Sequence, residues 1–370
     1  MLEALPVELM GEIADQLPDI ALVAQLRLVS RSVKDGVDAG SRLWRTAQEV
    51  HDTGGRADIL KSRKTTLEFA ATQGLMGIVR RMHPTNREII ETVLISACWS
   101  GRVEVVRELR HSYGLTADDA RSRDNEGLRE ACRRGHIDVL RELRQSYGLT
   151  IDDARAWNNE ALRLTCRRGD IEVVRELRKG YRLTIDDARD SGNAALRAAC
   201  ECGHVEVVRE LRNGYGLTAN DARANVNEAF RRACLFGHVQ VVRELREGYG
   251  LTAFDARDGT FRWTCFYGHI QVIRELHEGY GLTIEDARDY ESTALPFACS
   301  GGHVEVVREL RLGWGFTTND ARHENNRALR LAWSSGYLAV MRELRDGYGL
   351  TADDARAIGE NTLAESWLRY

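Results

Sequence analysis

Residues 193–223 read Asn193-Ala194-Ala195-Leu196-Arg197-Ala198-Ala199-Cys200-Glu201-Cys202-Gly203-His204-Val205-Glu206-Val207-Val208-Arg209-Glu210-Leu211-Arg212-Asn213-Gly214-Tyr215-Gly216-Leu217-Thr218-Ala219-Asn220-Asp221-Ala222-Arg223. This stretch decides the fold because the chain keeps returning to it. Its central glycine recurs at Gly74, Gly101, Gly135, Gly169, Gly203, Gly237, Gly268, Gly302 and Gly336. Past an irregular first step the spacing is 34 residues, with one step of 31 between Gly237 and Gly268. Asn361-Thr362-Leu363 to Trp367 matches the first half of one more unit, so about nine and a half repeats fill residues 64–370. A fixed period of this length is the signature of a stacked repeat architecture.

Each unit predicts three helices. An apolar residue stands seven positions before the glycine, at Leu128, Leu162, Leu196, Phe230, Phe261, Leu295 and Leu329, with small residues three and four positions later. That is the spacing of a short helix with one buried stripe. The glycine closes it, and a second helix opens with the Val205, Val207, Val208 and Leu211 pattern. Gly-Tyr-Gly ends the second helix with a residue able to take positive φ. Thr116-Ala117-Asp118-Asp119 and its copies carry a Thr N-cap and first-turn carboxylates, which predicts a third helix of one to two turns. From Arg257 to Phe261 the spacing is four residues where every complete repeat has seven, so the deletion falls in the loop between third and first helices. One unit cannot bury its own apolar face, so neighbours stack into a quasi-one-dimensional core, a rod of roughly 80–95 Å at 8–10 Å per helix layer.

Composition narrows the function classes. The 52 basic and 56 acidic side chains leave a formal charge of −4, without the one-sign field of a nucleic-acid or membrane-surface binder. The start at Met1 has no basic region followed by an apolar run, and nothing later approaches a membrane span. The chain is therefore expected in the cytoplasm, with reduced thiols. Only Lys34, Lys61, Lys64 and Lys179 are lysines.

The run Ala199-Cys200-x-x-Gly203-His204-x-x-Val207-Val208-x-x-Leu211 resembles the centre of the ankyrin repeat. The family's Thr-Pro-Leu-His opening is replaced here by Asn-Glu-x-Leu-Arg, and its β-finger turn by Gly-Tyr-Gly-Leu-Thr-x-Asp-Asp-Ala-Arg, so helical turns are expected in place of fingers. Arrays of this divergent type look like those encoded by large DNA viruses of eukaryotic hosts, which would place the protein in host cytoplasm. The resemblance implies an all-α, ankyrin-like helical solenoid that binds protein.

Residues 4–45 do not fit the repeat. The Leu9/Ile13 and Leu22/Leu26/Val29 spacings predict two amphipathic helices broken at Pro18, with a third ending near Val37. The Leu5-Pro6 step, the Leu17-Pro18 step, Leu26-Arg27-x-Val29-x-Arg31 and Leu43-Trp44 resemble the F-box, the small three-helix module that docks adaptors onto the Skp-type linker of cullin-RING ubiquitin ligases. Ser30 and Val33 stand where that family usually has Cys and Trp. The resemblance implies that Leu5, Pro6, Leu9, Ile13, Leu17, Pro18, Leu22 and Leu26 carry linker binding. The other reading of the segment is a helical cap for the solenoid. The expected organisation is an F-box-like module at 1–50, a linker at 51–63 and the repeat solenoid at 64–370.

No catalytic constellation emerges. Seven of eight cysteines (Cys98, Cys132, Cys166, Cys200, Cys234, Cys265, Cys299) sit three residues before the repeat glycine, and Trp333 and Trp367 take the same position. Side chains one repeat apart can neither share a zinc ion nor reach disulfide geometry, so they are expected as core. His136, His204, His238, His269 and His303 follow the glycine with Arg102, Asp170 and Tyr337 as substitutes, a structural pattern and not a single catalytic base. The Arg and Glu rows of Val-Val-Arg-Glu-Leu-Arg are expected as a solvated face of alternating charge. No metal, cofactor or enzymatic activity is expected.

Variation between repeats points to recognition. In ankyrin-like arrays the two residues before Gly-His lie on the binding face. Here they include Arg133-Arg134, Arg167-Arg168, Leu235-Phe236 and Phe266-Tyr267. Five of eight phenylalanines lie between Phe230 and Phe266, beside the shortened loop. The apolar residues next to a basic end suggest an unidentified protein target with an apolar anchor and an acidic flank. Repacking of the aromatics around the deletion is the alternative. The expected function is a substrate-recruiting ligase adaptor; the rival is a non-catalytic scaffold that sequesters a partner.

Overall fold

The computed structural model describes residues 67, 68, 70–74, 79, 86–257, 259–288, 294–359, 364, 365 and 367. The F-box-like segment, with all eight of its linker-binding candidates, and the 51–63 linker lie outside them. Every regular element among the described residues is a helix. The chain divides into two compact units, Met1–Leu183 and Thr184–Tyr370, each described by itself.

In the first unit the helices Arg87–Ser100, Ser122–Arg134 and Ala156–Arg168 pack side by side as one layer. Val103–Tyr113, Ile137–Gln145 and Ile171–Lys179 form the second layer. The short helices Ala117–Ala120 and Ile151–Ala154 link one repeat to the next. The second unit repeats the scheme. Its first layer is Ile185–Glu201, Ala224–Leu235, Thr260–Phe266, Ala294–Gly301 and Thr318–Ser334. Its second layer is Val205–Asn213, Val239–Glu247, Ile270–Arg274, Val304–Leu312 and Leu338–Asp346. Ile270–Arg274 continues as a π-helical turn, Glu275–Gly279.

The predicted stripes are the core. Leu128, Leu162, Leu196, Phe230, Phe261, Leu295 and Leu329 are buried, and so are the Val-Val and Leu positions of each second helix. Full burial of one such side chain contributes about 2 kcal/mol. The seven repeat cysteines are buried free thiols. Burial pushes Cys98 and Cys132 up to about 12, so these sulfurs stay protonated and unreactive at neutral pH. Trp333, at the same register, is only half-buried.

The turns show two things the sequence pattern left open. In Gly-Tyr-Gly it is the second glycine that takes positive φ, as at Gly216 (φ 90), while Gly214 stays helical. Arg182 occupies that left-handed position in one repeat, at φ 66. The junction expected as a loop between third and first helices is instead one turn of left-handed backbone. Asn225, Val226 and Asn227 have φ 53, 58 and 56, and Arg123–Asn125, Trp157–Asn159, Ser191–Asn193 and Glu324–Asn326 repeat it. Left-handed backbone costs roughly 1–2 kcal/mol per non-glycine residue, so it must be held from outside. Asn227 does this: its N–H donates to the Arg223 carbonyl (3.2 Å) and its Nδ2 to the Asp255 carbonyl (3.1 Å). The short repeat lacks this turn, for Ala253–Ala256 is followed by Gly259 (φ 80) and Thr260–Phe266.

Candidate protein-binding surface

The repeat-invariant polar residues are staples between neighbouring repeats. Asp255 accepts from the Thr252 N–H at 2.8 Å, capping its own short helix, and from Arg223 Nε of the preceding repeat at 2.7 Å. Arg121–Asp153, Arg189–Asp221, Arg288–Asp320 and Arg322–Asp354 are copies of that bridge. Glu244 is gripped by Arg209 (2.8 Å) and Arg212 (2.8 Å), and Glu343 by Arg308 and Arg311. The expected solvated face of alternating charge is thus corrected. The arginine stems are partly exposed, but the carboxylates they hold are buried, among them Asp119, Asp153, Asp221, Asp255, Glu142, Glu244 and Glu275. A carboxylate leaves water only when its charge is paired and hydrogen-bonded, and the stack supplies the partners. Burial raises the Asp153 carboxyl, yet the Arg121 guanidinium and the Thr150 N–H outweigh it and hold it below the usual carboxylate range.

Tyrosine and histidine rows do the same work. The Tyr147 hydroxyl donates to the Val106 carbonyl at 2.7 Å, and Tyr181, Tyr249, Tyr280 and Tyr348 make the equivalent bond. His238 Nε2 donates to the Glu201 carbonyl (2.9 Å) at the end of the preceding first helix, as His136 does to Trp99 and His269 to Leu235. The imidazole leans on the glycine of the preceding repeat. A Cβ on Gly203, itself at φ 79, would lie 2.5 Å from His238 Nδ1, which explains the Gly-His pairing. These histidines are structural, as the sequence pattern implied.

With the staples assigned, the variable positions before Gly-His are what remains for recognition. In the first unit Arg133 is exposed and lies 3.3 Å from Glu130. Arg134 lies 4.0 Å from the same carboxylate and spreads over the Trp99 ring at 3.8 Å. Arg168 pairs with Asp170, and Arg167 is exposed beside it. Local carboxylates therefore offset much of the expected basic end.

The second unit brings aromatics together. Phe236 is 50% exposed and Tyr267 48%, whereas Leu235 and Phe266 are half-buried. Phe266 sits edge-on to Tyr267 (5.1 Å between ring centroids), Trp263 (6.0 Å) and Phe297 (6.2 Å). Trp263, itself 41% exposed, meets Phe297 at 5.2 Å. Sequence reasoning missed Trp263 and Phe297. Both occupy the fifth position before the repeat glycine, so aromatic residues at one register in successive repeats were the available signal. Phe230 and Phe261 are core, as expected, and Phe261 packs 4.5 Å from Trp314. Repacking thus accounts for Phe261, and leaves Phe236, Trp263 and Tyr267 facing solvent.

The family model for ankyrin repeats matches residues 128–221 and, overlapping, 162–258, in a description of three copies. No curated protein matches the sequence. Ankyrin repeats are protein-interaction repeats, and the matched span carries several of the staples, Arg223–Asp255 among them, and the exposed aromatics Trp157, Phe236 and Phe254. Among the described residues no helix is long and apolar enough to cross a membrane.

Proposed function

We propose that the protein is a substrate-recruiting adaptor of a Skp-cullin-F-box type ubiquitin ligase, a cytoplasmic protein whose repeats hold a target while residues 1–50 engage the Skp-type linker. The observation that carries target binding is the exposure of Phe236, Trp263 and Tyr267, with half-buried Phe266 edge-on to Trp263 and Tyr267, on a scaffold whose repeat-invariant Asp and Glu side chains are occupied in stapling repeats together. The linker half rests on the Leu5-Pro6, Leu17-Pro18 and Leu26-Arg27 resemblance. Such an adaptor makes and breaks no bonds; it raises the effective concentration of target beside the ligase.

A sizing column with the purified chain and a Skp-type linker tests the adaptor reading. Co-elution that is lost in the Leu5→Ala, Pro6→Ala double variant is expected. No co-elution, or co-elution indifferent to those changes, favours a second reading supported by the same aromatic surface: a scaffold that sequesters a protein partner, with residues 1–50 as its cap.

A further inference from the structure

The shortened repeat does more than remove a turn. In repeats with an arginine after the core leucine or phenylalanine, as at Arg163, Arg197, Arg231 and Arg330, that arginine has a partner. Arg163 lies 3.4 Å from Glu160 and Arg231 pairs with Glu228, each carboxylate three residues earlier. Arg197 and Arg330 instead donate to carbonyls of the left-handed turn, those of Ser191 (3.0 Å) and Glu324 (3.2 Å). Arg262 holds the same register, but the residue three before it is Gly259 and the turn is gone. Its guanidinium lies 6.0 Å from the centroid of Trp263 and 5.9 Å from that of Phe297. It has no ion pair among the described residues, and its buried Nε has no hydrogen-bond partner. Among the described residues the deletion has therefore left this cation without a carboxylate, beside partly exposed aromatic rings.

We propose that Arg262, Trp263, Phe266, Tyr267 and Phe297 form a recognition face for an acidic peptide segment of the target, one apolar or aromatic anchor beside a carboxylate. The anchor packs on Trp263 and Tyr267, each edge-on to Phe266, and the carboxylate pairs with the guanidinium of Arg262. Charge complementarity selects this occupant. A guanidinium with no ion pair among the described residues calls for a planar oxyanion, and an adjoining apolar surface excludes the water that would weaken the contact. A nucleic-acid strand fits less well, since neighbouring Arg231 and Arg232 are already neutralised by Glu228 and Glu201 and cannot extend a phosphate-binding stripe. The inference rests on reading the array as protein-binding, and is independent of whether residues 1–50 bind a linker.

The test is fluorescence anisotropy on the full chain with short synthetic peptides carrying a central Trp or Leu. One set is flanked by Asp and Glu, one by Lys, and a third has Ala at the centre; a labelled oligouridylate is the nucleic-acid probe. Binding is expected for the acidic, apolar-centred peptides alone, weakening with added salt. Arg262→Gln should reduce it about tenfold, corresponding to about 1.4 kcal/mol, and Arg262→Glu should shift preference to the Lys-flanked set. Trp263→Ala should abolish it while Trp263→Phe retains most of it, with circular dichroism checking that each variant stays folded. Equal binding of acidic and basic peptides, no peptide binding, unchanged binding by the Arg262 variants, or tighter binding of the oligouridylate would each overturn the proposal. Linker co-elution is unaffected by any of these results, so failure of this face and failure of the adaptor reading are separable.

Discussion

Arg223 Nε lies 2.7 Å from Asp255 Oδ1, and the other oxygen of that carboxylate accepts from the Thr252 N–H at 2.8 Å. One buried side chain thus ends a helix in its own repeat and anchors the repeat before it. Removing it breaks both functions together. Asp255→Asn should destabilise the chain by about 2–4 kcal/mol, the sum of a lost cap and a lost charged hydrogen bond. Asp118→Asn, at an exposed position beside Asp119 in the equivalent turn, should change stability by less than about 0.5 kcal/mol. Urea denaturation measures both, and a double-mutant cycle with Arg223→Ala should return a coupling of about 0.5–3 kcal/mol.

The tyrosine row offers a cleaner deletion. Tyr249→Phe removes only the hydroxyl that donates to the Val208 carbonyl and leaves the ring in place. A loss of about 0.5–1.5 kcal/mol is expected, the net worth of one buried hydrogen bond, since the Val208 carbonyl keeps its place in the helix Val205–Asn213. The same change at exposed Tyr267 should leave stability within about 0.5 kcal/mol. Thermal or urea unfolding of the two variants side by side decides it.

Arg182 is an opportunity in the opposite direction. It takes φ 66 where Gly148 (φ 79) and Gly216 (φ 90) stand in neighbouring repeats. Arg182→Gly should stabilise the protein by about 1 kcal/mol through relief of left-handed strain, less the extra entropy of the unfolded glycine. An unchanged or lowered midpoint would show that the Arg182 side chain contributes more than its backbone costs.

Acid should unfold the chain in two stages. Burial lowers the His136 and His269 imidazoles below the ordinary histidine value, with nearby Arg168 and Arg134 adding to it for His136 and with His238 and His303 adding to it for His269. The unfolded state then binds the proton more readily, so the histidine contribution is complete above about pH 6.5 and declines below it. The stapling carboxylates Asp119, Asp153, Asp221, Asp255, Asp286, Asp320 and Asp354 are all lowered. Their contribution is complete above the unfolded carboxylate value of about 4 and is lost as pH falls through the lower folded values. Urea midpoints from pH 8 to pH 3 should show a shallow decline and then a steep one. A flat profile down to pH 4 would remove the histidines from the account.

How much of this was legible depends on whether a residue answers to its own repeat or to the next. Leu196, Cys200 and Val207 satisfy a period of burial visible in any one unit, and the helices and core followed from them. Arg223 and Asp255 stand 32 residues apart, and only the stacked geometry shows that the charge rows close on each other and withdraw from water. The left-handed turn at Asn225–Asn227 carried a hint in its asparagines, which tolerate positive φ, but Val226 pointed the other way. At the candidate surface, Phe266 and Tyr267 stood out as departures from the repeat. Arg262 matched its neighbours in sequence, and its difference arose from what the deletion had removed around it.

Hydrogen exchange on the full chain, with and without a purified Skp-type linker, tests the adaptor claim most directly. Slowed exchange concentrated in residues 4–45, absent from the repeats and abolished by Leu5→Ala with Pro6→Ala, is the predicted result. Exchange in residues 4–45 that is the same with and without linker, or slowing that falls on the repeats instead, would contradict it.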